Sequence, residues 1–241
     1  MINEVKYRVG ISLSEVNVES SGLNLKDEDL KNIFIQLGIS WKLVNPVEQV
    51  LTCAKKVVGK PYKRGASVFK DAPEAFDCSS LVSWIAVEAG FAIPRVTIDQ
   101  YVFSKRIDKN DLRPSDLVFA NTHEIIHTEG NYFSKVLNKE VKEEAIRTET
   151  LEYMPGTKVP EGVDHVGIYM GDNKIIHSSS KTGGVVEHVL SESNSFKNII
   201  GYGRVIENDN ERYVIEIPND QPDLRKKENL LNEIVKLWQI S

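Results

Sequence analysis

The sequence predicts an α+β fold in which N-terminal helices pack on a central antiparallel β-sheet. Three observations predict it. Helix-period stretches with start and stop signals lie before residue 91, at 46–58 and at 78–89. Short Val- and Ile-rich segments then follow one another: DLVFA, HVGIYM, NKIIHSS, VVEHVL and IIGYGRVI. They succeed one another without intervening helices, and MGDNK between two of them is a hairpin signal, which favours antiparallel pairing over a parallel βαβ layout.

Taken in order, residues 1–44 read as an N-terminal extension of unknown role. VKYRVGISLSEVNV contains strand-like stretches. LKDEDLKNIFIQLG is expected to be a short helix with Leu30, Ile33, Phe34 and Leu37 on one face and Gly38 at its end. Asn45 then suits an N-cap and Pro46 the first helical position. Val47, Val50, Leu51, Ala54, Val57 and Val58 recur at helical spacing until Gly59. Cys53 sits beside that stripe and reads as a small, inert core residue. The next helix, DCSSLVSWIAVEAG, carries Leu81, Val82, Ile85, Ala86 and Ala89 on one face, Asp77 as cap and Gly90 as the natural C′ residue. This puts Cys78 in the first turn. Residues 121–162 are polar and punctuated by Gly130, Pro155, Gly156 and Pro160. They read as an insertion in the sheet, with a helix near 134–146, and serve either as a lid or as a plain solvated loop. In the tail, 207–241, RYVIEI is expected as a strand. A helix follows Pro222, and its face of Leu230, Leu231, Ile234, Val235 and Trp238 packs on the domain or, as the lesser alternative, on a second copy.

Composition excludes several classes. The chain has 241 residues, 41% of them hydrophobic and 27% charged, as in ordinary globular proteins. A net charge of −5 argues against nucleic acid as a partner. The two cysteines, Cys53 and Cys78, build neither a disulfide framework nor a cysteine-rich zinc site. No apolar run approaches the ~18 residues of a membrane span. MINEVKYRVGISLSEV lacks the pattern of a signal peptide, so a cytoplasmic location is expected, or an exported one if a leader has been removed.

The chemistry centres on Cys78. A thiol attacks as thiolate, and a reference pKa of ~8.5 leaves it mostly protonated at neutral pH. The N-terminus of a helix favours the anion through its free N–H groups. An imidazole must take the proton and return it to a leaving amine. The candidates are His123, His127, His165, His177 and His188. His165 opens HVGIYM, and His177 lies near the end of the next strand. A two-residue turn at Asp172–Asn173 pairs 171 with 174, 168 with 177 and 165 with 180, which leaves the two histidines about three residues out of step. A bulge would change which face each occupies. His123 and His127 have H-x-x-x-H spacing but no third ligand, so no metal is expected.

At these residues the sequence resembles the NlpC/P60 superfamily of papain-like cysteine peptidases. The resemblance runs through PYKRG, FDCSSLVSWIAVEAGFAIPR, Gln100, RPSDLVFA, DHVGIYMGDNKIIHSSS and GYGRVI, over about 46–206 without the insertion. It makes 45–206 an NlpC-type catalytic domain. It implies Cys78 as nucleophile, His165 as base and His177 as the third polar residue. Tyr62 would line the site and help the oxyanion. Asp77 and Ser79 flank the nucleophile where relatives bind the amino-terminal part of the substrate, and Arg95 is a candidate carboxylate contact. Three positions depart from the pattern: Lys63-Arg64-Gly65 in the lead-in, Ser80 where Gly is usual, and Ser115 in place of the Gly of Pro-Gly-Asp.

The resemblance implies a peptidase without metal or cofactor, acting on peptidoglycan-derived peptides, typically between D-γ-glutamyl and a diamino acid. Recycling of imported muropeptides would suit a cytoplasmic enzyme. Two alternatives stay open: a thiol amidase, deamidase or acyltransferase on another substrate, and a binding module that has lost catalysis. The sequence does not specify the oligomeric state.

Overall fold

The computed structural model describes residues 7–19, 24–122, 131–134, 139–142 and 163–240. Helices α3 (Pro46–Lys56) and α4 (Cys78–Glu88) pack together against one face of a six-stranded antiparallel sheet. Its strands are β3 (Lys105–Ile107), β4 (Leu117–Ala120), β7 (His165–Gly171), β8 (Lys174–Ser179), β9 (Gly184–Val189) and β10 (Ile199–Arg204), in the order β3-β10-β4-β7-β8-β9. α5 (Thr97–Phe103) lies between α4 and β3 in the chain. The class is α+β, as the segment pattern predicts.

Local signals explain the helices. Asn45 caps α3 by accepting from the Glu48 N–H (3.1 Å), with Pro46 at its start. The Asp77 carboxylate accepts from the Ser80 N–H (2.7 Å), while the Ser80 hydroxyl accepts from the Asp77 N–H (2.9 Å). This reciprocal capping box gives Ser80 a purpose that glycine could not serve. At the far end Gly90 adopts φ +82°. The Phe91 N–H reaches the Ala86 carbonyl (2.8 Å) and the Gly90 N–H reaches that of Val87 (3.0 Å), closing a Schellman turn.

Every residue of β4 is buried. Leu117 and Phe119 face α3 and α4 with Val166, Ile168 and Ile176. Val118 and Ala120 face the other way, against Ile175, Leu190 and Phe196. The turn before β4 runs Arg113-Pro114-Ser115-Asp116, closed by the Asp116 N–H on the Arg113 carbonyl (3.1 Å). Ser115 sits there at φ +79°, where an L-residue is strained. Ser115→Gly is therefore expected to stabilise the protein by roughly 0.5–1 kcal/mol, left-handed strain removed less the extra chain entropy of glycine. Urea unfolding checks this, and a lower midpoint would count against it.

The two ends of the chain come together. β1 (Tyr7–Ile11) and β2 (Ser40–Val44) flank β11 (Arg212–Ile217) in a second antiparallel sheet, order β1-β11-β2. α1 (Leu13–Glu19), α2 (Asp27–Gln36) and α6 (Lys227–Ile240) cover it around a core that includes Ile11, Leu30, Phe34, Tyr213, Ile215 and Ile234. The tail helix, expected to pack on the catalytic domain, packs instead on α1, α2 and β1. Within VKYRVGISLSEVNV the expected strand forms as β1, and the following LSEVNVE is helical because Ser12 and Glu15 form a capping box: the Glu15 N–H donates to the Ser12 hydroxyl (3.2 Å) and the Ser12 N–H to the Glu15 carboxylate (2.8 Å).

This end-to-end unit docks on the Schellman turn of α4. A Cβ on Gly10 would lie 1.9 Å from the Gly90 carbonyl oxygen, so the backbones touch. Arg8 pairs with Glu88, and Arg212 stacks over Phe91 at 4.0 Å.

The helix expected near 134–146 is not what forms at 139–142. There β6 (Lys139–Lys142) pairs antiparallel with β5 (Asn131–Ser134). Strand pairing supplies a backbone partner that local helical propensity could not weigh. His123 and His127 lie outside the described residues.

Candidate active site

Cys78 is the first residue of α4 and is half-buried. Its sulfur lies 3.6 Å from the Thr97 hydroxyl, at the start of α5, and 3.9 Å from the Asp164 carbonyl. The Val166 N–H also interacts with it. The sulfur thus touches the peptide groups on both sides of His165. Burial pushes the Cys78 thiol up, and the Asp77 carboxylate adds to the rise; the Thr97 hydroxyl and the Ser79 and Val166 N–H groups oppose it without reversing it. Burial outweighs the help expected from the helix N-terminus.

His165 opens β7 and is buried, 5% exposed. The hairpin to β8 turns at Asp172 and Asn173, both with positive φ, and pairs Gly171 with Lys174. It does not keep the pure two-residue register. Met170 bulges out, so Tyr169 pairs with Ile175 and Ile168 with Ile176 rather than with residue 177. A slip of one residue exchanges faces. It brings His165 and His177 onto the same face, and the two rings bond: His165 Nε2 to His177 Nδ1 at 2.9 Å.

A third ring continues the series. β8 pairs with β9 so that His177 faces Val186 and Ile175 faces His188. His177 and His188 are diagonal neighbours on one face, with His177 Nε2 3.2 Å from His188 Nδ1. The Ser193 hydroxyl lies 3.4 Å from that same Nδ1. Phe196 packs against His165 (5.2 Å between centroids) and His177 (5.1 Å). Gly167 makes room for it, since a Cβ there would stand 2.8 Å from Phe196 and from Ile175. His177 is fully buried, and burial, followed by the neighbouring imidazoles His165 and His188, pushes its pKa down to about 2. It is neutral at any ordinary pH.

The expected substrate contacts are engaged with one another. Asp77 accepts from Ser80 N–H, Gly65 N–H (2.9 Å) and the Arg95 guanidinium. Arg95 also donates to the Ser79 hydroxyl (2.8 Å) and the Ala66 carbonyl (2.6 Å). Gln100 donates to the Ser79 carbonyl and the Ser83 hydroxyl, each at 3.0 Å, and fixes the first turn of α4. Tyr62 is half-buried. Its backbone bridges to Phe76, two residues before Cys78, and its N–H donates to the Gly183 carbonyl (2.8 Å). Among the described residues, no group of three or more His, Cys, Asp or Glu side chains is arranged to hold a metal ion.

Residues 59–155 match the family described as NlpC/P60. Over that stretch the chain is similar to the NlpC/P60 family. The match takes in Tyr62, Asp77, Cys78, Ser79 and Arg95, and ends before the three-strand row of histidines. The chain is 27% identical over 156 residues to the probable endopeptidase p60 of Listeria monocytogenes, covering 65% of this chain and 23% of that protein. It is 25% identical over 158 residues to the bifunctional muramidase/DL-endopeptidase CwlT of Bacillus subtilis, covering 66% of this chain and 36% of that one. It therefore spans about a quarter to a third of these relatives' length. Among solved structures, the P60 domain of a Mycobacterium avium subspecies paratuberculosis antigen aligns with a TM-score of 0.45 and 21% identity, covering 68% of this chain and 96% of that one. RipD of Mycobacterium tuberculosis, described as a non-catalytic NlpC/p60 domain protein adapted to peptidoglycan binding, aligns with a TM-score of 0.42 and 16% identity, covering 67% and 98%.

Sequence reasoning gave no role to three residues of this site: Thr97, Phe196 and His188, the last named only among the candidate imidazoles. Alternation puts 186 and 188 on one face of VVEHVL, but whether 177 shares that face depends on the register of β8 with β9, which no local signal fixes. Thr97 and Phe196 arrive through tertiary packing and carry no local signal.

Proposed function

We propose that the NlpC/P60-like domain, residues 45–206, is a cysteine peptidase that hydrolyses peptides derived from bacterial peptidoglycan, at the bond between D-γ-glutamyl and a diamino acid. The observation that carries this reading is the placement of Cys78. Its sulfur stands against the peptide groups flanking a buried histidine whose ring is already oriented by a second one. That two of its relatives are an endopeptidase and a DL-endopeptidase supports the same reading.

The chemistry follows from the geometry. With its thiol pushed up by burial, Cys78 rests protonated and ionises as it attacks. His165 Nε2 is held by His177, so Nδ1 is the nitrogen that takes the S–H proton. The sulfur forms a bond to the substrate carbonyl carbon, and the negative charge moves to the carbonyl oxygen. The Cys78 N–H, at the first position of α4, stabilises that oxygen, with Tyr62 as the second group. The C–N bond then breaks, and the amine leaves with the proton from His165. Water, deprotonated by His165, cleaves the thioester and restores the thiol. Asp77, Ser79 and Arg95 form a preorganised wall beside the nucleophile, with the Arg95 side chain, 34% exposed, as its solvent-facing part.

The test is incubation with a purified disaccharide-free muropeptide, with mass spectrometry following release of the diamino-acid fragment. Wild type is expected to release it and Cys78→Ala to lose at least ~10³-fold in rate, the scale of removing a nucleophile with its base in place. Muropeptide binding without release by the wild type, its thiol reduced, would favour a binding module. A thioester trapped at Cys78 only with other acyl donors would favour an amidase or acyltransferase.

A further inference from the structure

We propose that His188 is a positioning residue of this site, which fixes the tautomer of His177 and through it the basic nitrogen of His165. The inference deepens the cysteine-peptidase reading and rests on its pairing of Cys78 with His165.

A neutral imidazole carries one N–H and one lone pair, so a row of bonded imidazoles has a direction. His165 can accept the thiol proton on Nδ1 only if its own proton sits on Nε2. That N–H then donates to His177 Nδ1 across 2.9 Å. His177 must in turn carry its proton on Nε2. This N–H is fully buried with the ring, and the acceptor it faces is His188 Nδ1 at 3.2 Å. His188 completes the direction by keeping its lone pair on Nδ1 and its proton on Nε2. The Ser193 hydroxyl, 3.4 Å away, approaches the same lone pair. Glu187, the neighbouring acid, alternates to the opposite face and pairs with Lys174 (3.5 Å). The acceptor offered to His177 is therefore an imidazole.

Without that acceptor the buried His177 N–H has no partner on this side. The ring gains by moving its proton to Nδ1, where it donates to His165 Nε2. His165 is then left with its proton on Nδ1, and the nitrogen that should accept from the thiol is blocked. Three strands in one register build the row, and Phe196 and Gly167 pack its middle so that the rings hold their planes.

The experiment compares wild type, His188→Asn, His188→Phe and His165→Ala in two readouts that need no substrate. One is the rate of Cys78 alkylation by iodoacetamide near neutral pH, followed on the Cys78 peptide so that Cys53 does not interfere. The other is the ¹⁵N NMR signature of the His177 tautomer. His165→Ala is expected to slow alkylation strongly. His188→Phe, which keeps ring size and loses the acceptor, is expected to slow it roughly tenfold or more, the scale of leaving a buried donor unsatisfied. His188→Asn, which presents an oxygen near the Nδ1 position, is expected to restore most of the rate. The His177 proton is expected on Nε2 in wild type and in His188→Asn.

A wild-type His177 protonated on Nδ1 would overturn the proposal, even if His188→Phe proved unable to fold. So would a His188→Phe rate equal to wild type, or His188→Asn as slow as His188→Phe. Alkylation insensitive to His165→Ala would instead sink the Cys78–His165 pairing, and the relay with it.

Discussion

Acidification from pH 6.5 to 4.5 is expected to cost the fold roughly 2 kcal/mol through His177 alone, about 1.4 kcal/mol for each pH unit once the unfolded chain is protonated. The side chain is 0% exposed and its pKa is pushed down to about 2, by burial first and then by His165 and His188. In the unfolded chain it returns to the ordinary histidine value of ~6.5. Between these values the unfolded state binds a proton that the folded state refuses, so stability falls with falling pH across that window and is unaffected above it. Urea unfolding of wild type and His177→Gln at several pH values isolates the effect, because the variant lacks the titrating group. Equal pH slopes for the two proteins would refute it. The proposed relay depends on the same property, since a charged His177 could not accept from His165.

The second large effect lies beneath β4. Asp116 is 1% exposed and accepts from the Arg204 guanidinium through both oxygens, Nε and Nη2 each at 2.8 Å, and from the Arg113 N–H at 2.8 Å. The Asp116 carboxylate raises the pKa of Arg204 further above its ordinary value through this bond. The pair ties the turn before β4 to β10, the strand on its other side. Asp116→Ala leaves a largely buried guanidinium without its anion and is expected to destabilise the protein by about 3–5 kcal/mol. Asp116→Asn keeps one acceptor and should cost less. Equilibrium unfolding decides, and an alanine variant within ~1 kcal/mol of wild type would show that the pair contributes little.

What could be read from the sequence was whatever local chemistry controls. The caps of α3 and α4 were legible because Asn45, Pro46, Asp77 and Gly90 act within a few residues of where they stand. The turn at Asp172–Asn173 was legible for the same reason. The bulge at Met170 was not, since a bulge is decided by what the neighbouring strands bury, and it sets whether His165 and His177 meet. The Ser12–Glu15 capping box was present in the sequence but masked by the Val-rich pattern around it. The pairing of β1 with β11 joins residues some two hundred positions apart, as Tyr7 with Ile217 shows, and no periodicity encodes such a partner. Cys78 and His165 stand out through the ordered resemblance on either side of them. Spacing alone would have left His165 one of several histidines. His188 needed the register of two strand pairs before it could be seen.

The placement of β11 between β1 and β2 makes the two ends of the chain hostage to each other. Shortening the polypeptide from its C-terminal side by the residues of β11 takes away the middle of a three-stranded sheet, and the two strands left behind have no bond to one another. Residues 45–206 produced alone would uncover Phe91 and the backbone of Gly90, on which Gly10 and Arg212 now rest. The helix that presents Cys78 at one tip is thus braced at its other tip by segments drawn from opposite extremes of the chain. The protein closes like a clasp behind Cys78.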